Sequence, residues 1–151
     1  MDKKYWIGIV GGIEAADKLE DSPWWCVPQK AQKGDYIFMY CPMSVSKKKQ
    51  GVFALCELLS EPSANNSNNW YCSGFGGRLF ARLFYVDLKV IRRYKTHVTA
   101  RDMKRDAILS KIAFVRRNFQ ATVFEMDNIA FDRIKSILRT KNGKKQTSAN
   151  Y

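Results

Sequence analysis

Apolar residues fall in short runs along this chain, separated by polar stretches rich in Lys, Asn, Gly and Pro. Such punctuation predicts strands and short helices rather than long helical spans. The first run, YWIGIV at 5–10, reads as a strand that Gly11 and Gly12 end. IEAADKLE at 13–20 has helical composition. YIFMYC at 36–41 is apolar throughout and suits a central strand covered on both faces. GVFALCELL at 51–59 is the next strand, arranged as an antiparallel hairpin with its predecessor. RLFARLFYVDLKVIRR at 78–93 places Phe80, Phe84, Val86, Leu88 and Val90 on a two-residue period, again a strand. Thr99 followed three residues later by Asp102 is an acidic form of the capping box, so a helix is expected from about Ala100. FQATVFEM supplies a last short strand. Residues 127–138 form an amphipathic helix with Phe131, Ile134 and Leu138 on one stripe.

The sum is five or so mostly antiparallel strands with a few short helices and no internal repeat. This predicts an α+β fold or a small barrel. The helices are too few and too irregularly placed for βαβ crossovers in a doubly wound sheet. Between the elements, QKAQKGD ends in a Gly34–Asp35 turn, SVSKKKQ at 44–50 is an exposed loop, and the Asn/Ser/Gly-rich segment from Pro62 is the longest irregular stretch. GFGGR at 74–78 resembles a phosphate loop only superficially. It lacks the following helix and the Lys-Ser/Thr pair, and reads as a flexible turn.

Composition sharpens this picture. The 151 residues make one domain with enough chain for a real core, expected over 1–138 with a basic flexible tail at 139–151. The 26 Lys and Arg outnumber 14 Asp and Glu, a formal +12. The tail's four basic residues leave the body at about +8, still enough to favour a polyanionic partner, nucleic acid before membrane. No run approaches the ~18 apolar residues of a membrane span, and the N-terminus has no signal-peptide layout, so a cytoplasmic location is expected. Cys26, Cys41, Cys56 and Cys72 lie at nearly even spacing without a close C-x₂₋₄-C pair. They read as small apolar fillers in a reducing compartment rather than as metal ligands. No cofactor or metal is expected. His97, the single histidine, reads as a surface turn residue; no catalytic triad, paired-acid pattern or metal cluster surrounds it.

Five blocks then stand out in order: KKYWIGIV, KGDYIFMYCP, GVFALCELLSEP, FYVDLKVI and VRRNFQATVFEMDNIAFDRI. Together, from about Lys4 to Leu138, they resemble the EVE domain family of the PUA-like superfamily, alongside YTH and ASCH domains. The resemblance implies a small mixed, mostly antiparallel β-barrel with flanking short helices. It also implies a non-enzymatic nucleic-acid-binding module, several relatives being thought to read modified bases in a pocket on the barrel. By the same resemblance Trp6, Trp24, Trp25, Tyr40 and the Arg117–Asn118 pair fall near that pocket. Where many relatives carry a Gly-rich or Arg-Asn segment, this chain has SPWWCVPQ.

The residues bear independently on that expectation. An extruded base needs flat apolar walls and a few polar groups at its edge. Stacking contributes ~1–3 kcal/mol per base, comparable with the cost of unstacking one. Trp24 and Trp25 are candidate walls, one facing in and the other pinning the loop; the plainer reading is a plug in the barrel end. Ser22 and Asn118 are candidate edge contacts. Arg116 and Arg117 are candidate phosphate ligands, together with Lys30, Lys33, Arg92 and Arg93. Basic clusters also occur at Lys47–Lys49, at Arg92, Arg93 and Lys95, and at Arg101, Lys104 and Arg105; the plainer reading of each is a solvated face. Two other functions compete. An ASCH-like hydrolase of a small amide or nucleoside needs a Lys, Thr or Glu with a base partner, for which the sequence offers candidates such as Glu57 and Lys30, and a protein-interaction module would use the aromatic-rich loop.

Overall fold

The computed structural model describes residues 3–19, 24–63, 83–116 and 123–143. Strands β1 (Tyr5–Ile9), β2 (Trp24–Pro28), β3 (Tyr36–Cys41), β4 (Gly51–Leu58), β5 (Leu83–Val98) and β6 (Val123–Met126) form one sheet. Their spatial order is β2-β5-β4-β3-β1-β6. Only β1 and β3 pair in parallel; the other neighbours are antiparallel. Helices α1 (Ile13–Asp17), α2 (Ala100–Arg105), α3 (Ala113–Arg116) and α4 (Asn128–Lys141) flank the sheet, with a 3-10 turn at Leu109–Lys111 between α2 and α3.

Strand alternation divides the core into two. On one face Ile7, Phe38, Tyr40, Leu55 and Tyr94 pack against Met103, Phe114, Phe131, Ile134 and Leu138 of the helices. Phe131 anchors this layer, its ring 4.4 Å from Tyr5 and 4.8 Å from Phe38. On the other face Trp6, Ile37, Met39, Ala54, Cys56, Val86 and Leu88 gather around Trp25. That face is the inside of a barrel. The indole of Trp25 on β2 lies against Gly8 of β1, although β5, β4 and β3 separate those strands in the sheet. At the two edges, Lys30 just after β2 pairs with Glu125 of β6 at 2.9 Å. The sheet is thus a nearly closed, mostly antiparallel barrel with short helices outside it, the PUA-like architecture.

Several boundaries differ from those the pattern predicts. Residues 24–28 form a strand, because β2 completes the ladder to β5 with Trp25 opposite Val86. The helix from Ala100 carries its capping box, Thr99 accepting from the Asp102 N–H and Asp102 from the Thr99 N–H. It stops at Arg105, where Asp106 is extended and its carboxylate accepts from the N–H groups of Ile108 and Leu109 to start the next turn. The last helix runs on to Lys141. Asn142 then accepts from the Thr96 N–H and donates to the Thr96 and Leu138 carbonyls, so residues 139–142 belong to the folded body rather than to a tail. Cys41 and Cys56 are buried thiols as expected. Cys26 is instead joined in a disulfide, and Cys72 lies outside the described residues. Even spacing along a chain carries no information on which sulfurs the register brings within bonding reach.

Candidate nucleic-acid interface

Trp25 occupies the barrel interior with 9% of its surface exposed. Its position depends on Gly8, where an added Cβ would stand 2.8 Å from Trp25 Nε1. The indole N–H is buried and has no hydrogen-bond partner among the described residues. An orphaned buried donor costs about 1–3 kcal/mol, so a bound acceptor would gain by meeting it.

Of two further residues expected at the pocket, Trp6 shares the interior with Trp25 but is closed to solvent and already bonded, and Tyr40 lies in the other core. Trp6 is 1% exposed, and its indole donates to Asp35 Oδ2 at 3.0 Å. Asp35, the buried charged residue among the described residues, also accepts from the Lys4 N–H and the Gln32 N–H, both at 2.9 Å. It therefore ties the start of β1 to the turn before β3. Tyr40 is closed off on the opposite, helix-packed face, edge-on to Phe114 at 5.3 Å. Burial pushes its hydroxyl up to about 12, with the neighbouring Cys41 adding to the effect. The expectation that Trp6 and Tyr40 share one pocket is corrected by the register: Trp6 stands opposite Ile37 and Tyr40 opposite Ile9, and successive residues of each strand look to different cores. The backbone of Trp24 pairs with Asp87. Ser22, Arg117 and Asn118 lie outside the described residues.

The basic candidates separate into two groups. Lys30 and Lys33 sit beside the start of β1 and β3; Lys30 pairs with Glu125 and lies 6.0 Å from the Trp6 ring centre. Arg92 and Arg93 belong to the far half of β5, so these four do not make one phosphate cradle. Arg92 lies over the Tyr94 ring at 5.2 Å. Arg116 is exposed at the end of α3. Lys95, Thr96, Lys141 and Asn142 join Arg92 and Arg93 around a recess of about 400 Å³.

Sequence periodicity missed how β5 is aimed. Val86, Leu88 and Val90 point toward the barrel core. The pairing with β4 then slips between Leu55 and Cys56, and again between Val52 and Ala54. Beyond the slip Tyr94 and Val98 belong to the helix-side core, and Arg93 lies over the ring of Phe53, an interior residue, at 5.4 Å. A bulge re-aims side chains in this way. It gathers Arg93, Lys95 and His97 with Lys48 and Lys49 at the end of the barrel. His97, expected in a surface turn, is thus a strand residue, half-buried there.

The EVE domain model matches residues 4–137. The chain belongs to the EVE domain family. A hypothetical protein from Leishmania major shares the fold with a TM-score of 0.69 at 18% identity, the match covering 94% of this chain and 98% of that one. Human THYN1, solved in complex with 5-methylcytosine-containing DNA, gives 0.64 at 14% identity over 90% and 98% of the two chains. The YTH domain-containing protein mmi1, solved with RNA, gives 0.52 at 12% identity over 92% and 85%. Comparison with curated proteins finds no match. At these identities the likeness establishes the fold, and within the EVE family this chain places the Trp25 indole where the barrel closes on Gly8.

Proposed function

We propose that this EVE domain is a non-enzymatic module that binds nucleic acid, holding a single base against Trp25 while the basic end of the barrel takes phosphates. The observation that carries this reading is the buried N–H of Trp25, unpartnered among the described residues. A flat apolar ring suits the face of a base, and a donor in the plane of that ring suits an acceptor reaching it from the side. The surplus of positive charge and the DNA- and RNA-bound relatives with this fold support the same partner class. A binding role rather than a hydrolytic one is favoured by Asp35, whose carboxylate is already engaged by three structural donors. Of the residues a hydrolase would use, Lys30 is paired with Glu125, while Glu57 stands opposite Tyr36 and Lys89.

Fluorescence anisotropy tests this with DNA and RNA oligonucleotides carrying cytosine or 5-methylcytosine, at two salt concentrations. Burial of the methyl group, ~0.8 kcal/mol, gives about a fourfold preference for the modified base. Trp25→Phe, which removes the N–H, is expected to weaken binding about tenfold. Equal affinity for both bases, driven wholly by salt and unchanged in Trp25→Phe, would overturn the base-holding reading and leave a basic binder.

A further inference from the structure

A second recess, of about 330 Å³, opens where β3 ends, β4 begins and β5 ends, beside α1. Phe53 and Cys41 belong to the interior core beneath it, and burial pushes the Cys41 thiol up, keeping that sulfur uncharged at neutral pH. The walls are basic. Lys48 and Lys49 come from the β3–β4 loop, and Arg93, Lys95 and His97 from the re-aimed part of β5.

The acid on the rim is already engaged. Asp17 at the end of α1 pairs with Lys49 at 3.0 Å. Arg93 donates to the backbone carbonyls of Ala16 and Asp17, which pins α1 over the recess. Lys48 and Lys95 have no acidic partner among the described residues. His97 is held from both sides. Its Nδ1 lies 3.0 Å from the Lys49 carbonyl, and Lys141 of α4 donates to the His97 carbonyl at 3.1 Å while also pairing with Asp102. A carbonyl oxygen only accepts, so Nδ1 carries a hydrogen and Nε2 is the ring nitrogen left for a ligand. Gly51 permits this approach with φ +115°; a Cβ there would lie 2.9 Å from His97 Cβ.

We infer that this recess is a phosphate site, with Lys48, Lys95 and the His97 ring as its ligands, which holds a backbone phosphate of a nucleic-acid strand. The inference deepens the nucleic-acid reading and rests on it for the source of the phosphate. A lysine supplies point charge, and a histidine ring whose Nδ1–H is fixed presents Nε2 to the anion, a directed donor whenever that nitrogen is protonated. The recess of Arg92 and Lys141 adjoins it through Arg93 and Lys95, which line both, so neighbouring phosphates have a continuous basic path.

Because His97 is the single histidine, its ring resonances report the site without ambiguity. Sulfate is a suitable first probe, a tetrahedral dianion of constant charge across neutral pH. In the wild-type chain at pH 7, sulfate is expected to move the His97 ring resonances saturably toward their acid positions. Lys48→Ala and Lys95→Ala, both on the surface, should each weaken that response about tenfold. A short single-stranded oligonucleotide should move the same resonances and compete with sulfate. Resonances that stay still on sulfate addition overturn the site. If the oligonucleotide binds, by anisotropy, while His97 stays silent, the phosphate assignment falls and the nucleic-acid reading stands. If sulfate moves His97 but the oligonucleotide neither binds nor competes, the nucleic-acid reading fails, and with it the assignment of the recess to a strand.

Discussion

Gly8 shows how one missing methyl group positions an aromatic ring across a barrel. Its backbone lies under the Trp25 indole, so Gly8→Ala forces the ring or β1 to move. The expected cost is about 1–3 kcal/mol of stability, with a shift in tryptophan emission, measured by urea unfolding followed by fluorescence. Asp35 is the corresponding polar anchor. Asp35→Asn keeps the shape but turns an amide toward donors that need an acceptor, among them Trp6 Nε1. A loss of about 2–4 kcal/mol is expected by the same unfolding measurement. Neither dependence is legible in sequence. A glycine inside an apolar strand and an aspartate after Lys-Gly each read as local turn or strand features. Their partners are 17 and 29 residues away along the chain and meet them only through the fold.

Among the elements, those written in local chemistry were predicted closest to their observed bounds. YIFMYC is β3 at residues 36–41, and the Thr99–Asp102 box starts α2 where expected, since each depends on neighbours within a few residues. Elements that depend on partners were read less well. β2 is short and contains two tryptophans and a proline, and it becomes a strand because β5 supplies the ladder. The helix after Thr99 breaks because Asp106 turns its carboxylate to the next turn's N–H groups and to Arg133 at 2.7 Å. These caps have a pH signature. Partial burial opposes ionisation of Asp102 and Asp106, yet hydrogen bonds from Lys141, Thr99, Leu109 and Arg133 hold both carboxyls below the usual carboxylate range. A carboxyl depressed in the folded state contributes stability that is present above its unfolded pKa, about 3.9, and is lost as pH falls through the lower folded value. Thermal melts from pH 6 down to pH 2 should therefore show stability falling below about pH 4. In the double variant Asp102→Asn/Asp106→Asn that part of the fall should be absent, from a lower starting melting temperature.

For the molecule as a whole, the charge surplus sets the form that the proposed binding takes. Strand association is expected to weaken linearly in log Kd against log salt. Removing one phosphate contact, as in Arg92→Ala, should reduce the slope by about 0.7 for single strands, and an unchanged slope would place Arg92 off the path. The excess of basic residues, the two-residue apolar period and the capping box were each determined by the sequence alone. They are properties of composition and of near neighbours, and with the five EVE-like blocks they lead to a small basic barrel. The tertiary structure decided the rest. Closure of the sheet brought Trp25 onto Gly8, and the slipped β4–β5 register turned Arg93, Lys95 and His97 toward Lys48 at one end while leaving Lys30 and Lys33 at the other. The physical reason is the same in both cases. Register and closure are set by side chains packing across strands far apart in sequence, and a one-residue slip sends each side chain beyond it to the opposite face.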